Sequence, residues 1–425
     1  MNPRPGVVSE SKPAVLYLVH RLPYPPDKGD RIRAFHLLKF LGRHAAVHVA
    51  CLADEPVSEE TADSLRQYCD RLAIVPLGRT RWLHALSSVI RGHTISEGAF
   101  WSGRLAALLR DWTREMSYRV VLASASSMVP FMRLAALRDV PAVVDLVDVD
   151  SQKWLDYAAA SRPPRRWLYR FEGRRLRALE SDLPTWARAA TLVSTGETDL
   201  FKGFCAWDGV HAITNGVDLD YFRPFAPAPA EEGCVFVGAL DYRPNVDAAC
   251  WFCQEVWPKI RQRVPQAQFR LVGRQPTPEV QRLAEVPGVE VVGQVPDVRP
   301  HVARSAVVVA PLRIARGVQN KVLEAMALGK AVVASPQALK GLGDRPDVPA
   351  LSAATPAEWV EHLTRLLADE PYRRQLGAAG RRYVEEHHDW ERCLEPFGAL
   401  LGLSDWPKEQ TGALQRPQCY TTRGS

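Results

Sequence analysis

No run of apolar residues in this chain approaches the roughly 18 that a transmembrane helix needs, so any membrane contact must be peripheral. A secretory signal is missing too: the segment before Ala14 is polar, and the first apolar run, residues 14–19, is too short for one. HExxH, Walker A and GxGxxG patterns are all absent, which counts against zinc proteases, P-loop NTPases and ordinary dehydrogenases. The eight cysteines, at 51, 69, 205, 234, 250, 253, 393 and 419, lack the spacing of a disulfide scaffold, so reduced thiols in a cytoplasmic setting are expected. Cys250-Trp251-Phe252-Cys253 has no second pair to complete a zinc site and reads as a packed helix. His387-His388-Asp389 are adjacent residues that a helix would turn to different faces, so no metal is expected there. Neither charge sign dominates: the formal charge is +6, which suits an anionic ligand or lipid surface without selecting nucleic acid, and no nucleic-acid partner is expected.

What is present is an ordinary globular composition, 46% hydrophobic and 24% charged, over 425 residues. That length exceeds one hydrophobic core, so two domains of roughly 200 residues each are expected. In the first half, short β-branched runs at 14–20, 47–52, 72–76, 120–123, 142–146 and 190–194 alternate with helical stretches such as 31–41 and 102–109. Such alternation implies right-handed βαβ units and a parallel sheet covered on both faces. A Pro- and Ala-rich passage at 222–230 interrupts the pattern as a linker would. The alternation then restarts with strands at 234–238, 268–272, 289–292, 306–310 and 331–334. Residues 371–401 read as an amphipathic helical region able to cross back onto the first domain, and the polar tail at 404–425 is expected to be disordered.

The most informative stretch is residues 317–330, a loop, a short helix and then the apolar strand at 331–334. A helix N-terminus offers unpaired N–H groups and a partial positive charge, so Lys321 beside it makes a seat for a diphosphate. Glu324, one turn on, can accept hydrogen bonds from sugar hydroxyls. The bland alternative is a βα connection whose Lys and Glu are merely solvated. Near the start, Pro23-Tyr24-Pro25-Pro26-Asp27-Lys28-Gly29-Asp30-Arg31 opens a helix at the carboxyl end of the first strand, where open α/β sheets bind ligands. Gly29 permits close backbone approach there, although the same residues also serve routine turns. Asp145, Asp148 and Asp150 end a buried strand and can orient hydroxyls, or Asp150 or Ser151 can simply cap a helix. Residues 162–180 carry seven arginines, Arg162, Arg165, Arg166, Arg170, Arg174, Arg175 and Arg177, interleaved with Trp167, Leu168, Phe171, Leu176 and Leu179. This pattern fits either a peripheral contact with an anionic membrane or a solvated helix face packed on a core.

With these residues the chain resembles the retaining glycosyltransferase family 4, of the two-domain GT-B fold. The match runs through Pro25-Pro26-Asp27-Lys28-Gly29-Asp30, Asn215-Gly216-Val217-Asp218, Val235-Phe236-Val237-Gly238 and residues 317–329. The wording of residues 144–154 and 238–245 is similar to a subgroup associated with the PEP-CTERM/exosortase exopolysaccharide system. The resemblance implies two doubly wound Rossmann-like α/β domains facing across a cleft: an acceptor domain over 1–208, a linker over 209–232, a nucleotide-sugar domain over 233–385 and a returning helix over 386–403. It implies metal-independent, hexosyl-type transfer from a UDP or GDP sugar to a glycan or lipid-linked acceptor, with no cofactor, on the inner face of the cytoplasmic membrane. Lys321, Arg316 and Asp148 then become the catalytic candidates; Glu324, Asn320, Gly317, Gly29, Arg243, Asn245 and Val295 the donor contacts; Asp145, Asp150 and Lys28 the acceptor or sugar contacts. Departures are visible: the first glutamate of the family's pair falls on Arg316, and basic positions of relatives fall on Ala239 and Asn245. The histidine that precedes the strand-end aspartate in relatives is Val147, so no histidine base carries over. Asp148-Val149-Asp150 imitates the DxD metal motif of another glycosyltransferase architecture, a triplet common by chance. A non-catalytic nucleotide-sugar binder and a GT-B-like epimerase or phosphorylase are the competing expectations.

Overall fold

The computed structural model describes residues 12–27, 29–78, 80–225, 233–342 and 347–403. The expected contact Lys28 and the expected disorder of 404–425 lie outside these residues. The chain divides into two compact units. Among the described residues the first holds those up to Leu192, then Thr198–Ala212 and 394–403; the second holds Val193–Glu197 and Ile213–Cys393.

In the first unit, seven strands pair in parallel in the order β3-β2-β1-β4-β5-β6-β7. They are β1 (Ala14–Val19), β2 (Ala46–Ala53), β3 (Arg71–Pro76), β4 (Val120–Ser124), β5 (Ala142–Val147), β6 (Ala189–Leu192) and β7 (Val210–Ala212). β1, β2, β4 and β5 are buried along almost their whole length, which is why they read as near-continuous apolar runs rather than alternating ones. β7 falls inside the stretch expected as linker; three residues at a sheet edge leave too short a pattern to see.

The second unit repeats the plan with β8 (Cys234–Val237), β9 (Phe269–Val272), β10 (Val289–Gly293), β11 (Val307–Ala310), β12 (Ala331–Ala334) and β13 (Leu351–Ser352). Their order is β10-β9-β8-β11-β12-β13, again all parallel. In both sheets the chain reverses direction of growth beside its first strand, between β1 and β4 and between β8 and β11. Crevices outside the carboxyl ends of such strand pairs are where open α/β sheets take ligands.

Asp145, expected as a sugar contact, is placed otherwise. Its side chain and that of Arg33 are fully buried, and Arg33 donates to both carboxylate oxygens at 2.8–3.1 Å while Thr191 Oγ1 donates at 2.7 Å. A bidentate pair sealed in the core ties the Gly29–His44 helix to β5, and no carboxylate atom is left to meet a ligand. The helical region expected over 371–401 is two helices, Glu370–His387 and Trp390–Leu400. At the break Val217 pairs with residues 388–389: its N–H donates to the His388 carbonyl at 2.7 Å.

Candidate functional site

In the second unit, the chain leaving β8 turns at Gly238 and enters the Arg243–Trp251 helix, while the chain beyond β11 enters the Asn320–Ala327 helix. Lys321 sits at the second position of that helix and donates from Nζ to Asn245 Oδ1 at 2.7 Å. Asn245 Nδ2 in turn donates to the Ala239 carbonyl at 2.9 Å, so the amide is held at both ends. The Lys321 ammonium also lies 4.3 Å from the centre of the Phe236 ring, a cation–π arrangement. A Cβ on Gly238 would come within 2.8 Å of Lys321 Nζ and of Asn245 Nδ2. The glycine after β8 is therefore what lets a lysine from a distant helix lie over this strand end.

Asn245, read as a donor contact, is thus buried and committed to Ala239 and Lys321; it positions the lysine. Removal from water pushes the Lys321 ammonium down to about 7, opposed by the nearby Glu324 carboxylate, and the same burial pushes the Glu324 carboxyl up. Both are half-buried side chains on one helix face. Asn320 Oδ1 accepts from Asn215 Nδ2 at 3.1 Å, which brings Asn215-Gly216-Val217-Asp218 to the helix start. The Asn215 carbonyl is held by His388 Nδ1 at 2.9 Å. Gly317 takes φ +56° in the loop before the helix, a left-handed turn that suits glycine. Arg243 is exposed at the start of its own helix, and Val295 is half-buried just beyond β10.

Three features of this unit were not foreseen. Arg316 Nη1 lies 3.5 Å from Glu197 Oε1, so a buried carboxylate from a remote segment of the same unit faces the position where the resemblance expects one. Tyr221 lies under the Arg299 guanidinium at 3.6 Å, and Arg299 is forked onto Asp297 at 2.7–3.0 Å. Burial, with the Asp297 charge beside it, raises the Tyr221 hydroxyl to about 12, and Glu324 is close enough to add to the shift. Nothing in local spacing marks the contacts of Arg316 with Glu197 or of Tyr221 with Arg299, because each joins residues far apart in sequence.

In the first unit the ends of β1, β4 and β5 gather a second set. Ala125 takes φ +75° after β4, and Val147 takes φ +69° at the end of β5, where the Asp148 N–H donates to the Leu146 carbonyl at 2.9 Å. A β-branched residue in this region is strained, and such strain concentrates at functional sites. Asp148 follows that turn and is half-buried. Asp150 opens the Asp150–Ala159 helix rather than capping it, accepting from Ser126 Oγ at 2.7 Å and from Lys153 Nζ at 2.5 Å. Burial would raise the Asp150 carboxyl, but Lys153, Ser126 and His20 outweigh it and hold it below the usual carboxylate range. Gly29 begins the Gly29–His44 helix, but the next residue, Asp30, already places an ionised carboxylate there. Arg21 donates to Asp30 at 3.1 Å and His20 Nε2 lies 3.5 Å away; these partners hold the Asp30 carboxyl far below its ordinary value against the cost of burial. His20, the residue after β1, thus stands between the carboxylates of Asp30 and Asp150 in their electrostatics. Among the described residues no cluster of three or more His, Cys, Asp or Glu could hold a metal ion.

Residues 231–369 match the family model described as Glycosyl transferases group 1. A curated relative, Glycosyltransferase 1 domain-containing protein 1 of Xenopus tropicalis, is 26% identical over 157 residues, 35% of this chain and 45% of that protein. The chain thus spans less than half the length of that relative. Among solved structures, sucrose-phosphate synthase from Thermosynechococcus elongatus superposes with a TM-score of 0.66 at 19% identity, covering 92% of this chain and 98% of that one. HepE of Anabaena, solved with UDP-glucose, gives a TM-score of 0.64 at 14% identity over 92% and 99% of the two chains. These likenesses show the fold: two parallel-sheet, Rossmann-like α/β domains, as in GT-B glycosyltransferase structures.

Proposed function

We propose that this chain is a retaining, metal-independent glycosyltransferase that moves a sugar from a UDP- or GDP-type sugar nucleotide to a glycan or lipid-linked acceptor in exopolysaccharide synthesis. The observation that carries the reading is Lys321, held by Asn245 over the strand end at Gly238 and next to a helix start, inside the segment matched by the family model. Breaking the anomeric C–O bond leaves negative charge on the departing nucleoside diphosphate. Fixed donors aimed at that charge lower the barrier because they need not reorganise as it develops. Lys321 and the N–H groups of its helix meet the diphosphate, Glu324 accepts from the ribose, and Arg243 adds a cation at the neighbouring helix start. The acceptor oxygen attacks the face the diphosphate leaves, and its proton passes to a phosphate oxygen, so no protein base is required. Asp148 and Asp150 orient acceptor hydroxyls at the first unit's strand ends. Peripheral contact with an anionic inner leaflet through the arginine-rich 165–181 helix belongs to the same reading.

A thermal-shift panel of sugar nucleotides on the purified protein identifies the donor, since the ligand that binds tightest stabilises most at equal concentration. With that donor, Lys321→Ala is expected to lower turnover by about 10²–10³-fold. A near-normal rate removes Lys321 from the mechanism. Nucleotide binding without transfer to any acceptor would favour the non-catalytic binder, and phosphate-dependent turnover the phosphorylase.

A further inference from the structure

The Arg81–Ile90 helix of the first unit packs inward through Ala85, and Gly98 of the next helix, Ile95–Ala99, sits against it so closely that a Cβ there would meet the Ala85 Cα at 2.6 Å. Its outward face is apolar. Trp82 is 62% exposed, Leu83 66%, Leu86 59% and Ile90 78%. Residues 82, 86 and 90 repeat every fourth position and 83 falls beside them, so all four share one arc of about 100° along the helix. A surface helix ordinarily turns such an arc to the core. This one buries only Ala85 and turns its largest residues to solvent.

The rim of the arc is basic. Arg81 lies over the Trp82 ring at 4.9 Å, Arg91 ends the helix, and the exposed Arg175 guanidinium comes within 3.5 Å of the position a Cβ on Gly92 would occupy. The arginine-rich Arg165–Ser181 helix is fastened to this platform: its buried Glu172 accepts from the Ile95 and Ser96 N–H groups at 2.7 and 2.9 Å. That helix exposes Trp167 and Leu168 among its arginines. No acidic residue occurs between 81 and 91. A second copy docked on the same face about a two-fold axis would set arginines against arginines, and the exposed carboxylate beside Arg175, Asp182, is already paired with Arg133 at 3.1 Å. An anionic lipid surface satisfies both halves of the face at once.

We propose that the outer face of the Arg81–Ile90 helix is a monotopic membrane anchor: Trp82, Leu83, Leu86 and Ile90 enter the interface of an anionic bilayer while Arg81, Arg91 and Arg175 meet its headgroups. The assignment rests on the peripheral-contact reading and names the element that inserts, which the arginine-rich helix alone does not supply. It is tested by co-sedimentation with vesicles of phosphatidylcholine alone and with about one-third phosphatidylglycerol, at low and high salt. The wild-type chain is expected to sediment with the anionic vesicles and to be released by salt. Leu86→Glu combined with Ile90→Glu is expected to lower the bound fraction more than about ten-fold without changing the melting temperature, since both side chains face solvent. Wild-type-like binding by that variant overturns the assignment. If a variant with Arg165, Arg166, Arg170 and Arg174 all changed to Gln has then lost binding, the arginine-rich helix survives as the contact by itself. Failure of the wild-type chain to bind either vesicle removes both. A concentration-dependent dimer that Leu86→Glu and Ile90→Glu abolish, with no vesicle binding, overturns the proposal in favour of a second copy.

Discussion

Lys321 is where local physics and expected ligand pull in opposite directions. Burial has pushed its ammonium down to about 7, so near pH 8 much of the empty site carries a neutral amine, whereas a diphosphate needs the cation. A bound diphosphate raises the lysine's proton affinity, and it raises that of Glu324 as well, so both groups shift in the same sense. Binding of a nucleoside diphosphate at pH 8 should therefore take up a net fraction of a proton, approaching about one. Calorimetric titration in buffers of different ionisation enthalpy reads that number. Lys321→Met should remove most of it, and zero uptake by the wild-type chain would contradict the placement of phosphate beside this lysine. That Lys321 and Glu324 stand one turn apart at a helix start was legible in the sequence, because the loop, short helix and apolar strand follow one another plainly. Asn245 was read as a departure from relatives and as a donor contact; that it grips Lys321 depends on two helices meeting over Gly238. Glu197 facing Arg316, and the stack of Tyr221, Arg299 and Asp297, were not legible, since they join segments that no periodicity connects. Asp145 was misplaced for a related reason: a strand-end carboxylate looks the same in sequence whether it meets a ligand or a buried arginine.

Among elements, the apolar strands were read almost residue for residue, because strands buried on both faces announce themselves by composition. β7 and β13 were missed since three and two residues are too few to carry a pattern. The Asp150–Ala159 and Arg165–Ser181 helices show what the sequence conceals about helix ends. The first has Val149 at its N-cap, which brings no side-chain acceptor, and its second N–H is instead taken by Glu180 of the other helix at 3.0 Å. Glu180 also accepts from Ser151 Oγ, and Arg177 donates to that same hydroxyl at 2.8 Å. Burial pushes the Glu180 carboxyl from 4.5 up to about 7, against its hydrogen bonds from Ser151. Between those values the folded chain holds a proton that the unfolded chain has released, so stability falls as pH rises through that window and is flat beyond it. The drop should be on the order of 2 kcal/mol. Urea unfolding of wild type and Glu180→Gln between pH 5 and 8 isolates it: the difference between the two should change by that amount, with the variant gaining on wild type as pH rises. A difference that stays constant with pH would mean Glu180 is ionised throughout and paired with Arg177.

At the scale of the whole molecule, the two units repeat one strand order, yet they differ in what their switch points present. The second offers a lysine at a helix start beside a glutamate; the first offers His20, Asp30, Asp148 and Asp150 around two strained strand ends. A cation-lined corner suits a diphosphate and a carboxylate-lined one suits hydroxyls, so the two substrates should be divided between the units. Nucleoside diphosphate alone should then stabilise only the second. At 100-fold excess over its dissociation constant the gain is about 2.7 kcal/mol, enough to slow exchange of any amide that opens with that unit. Hydrogen exchange read by mass spectrometry should show protection in β8, at Gly238–Leu240 and over the Asn320–Ala327 helix, with β1, β4 and the Gly29–His44 helix unchanged. Addition of a hydroxylated acceptor should extend protection to residues 20–30 and 147–153. Protection by the nucleotide at residues 20–30 and not at Asn320–Ala327 would reverse the division of labour. It would move the diphosphate to the start of the Gly29–His44 helix, where Asp30 already stands and would repel it.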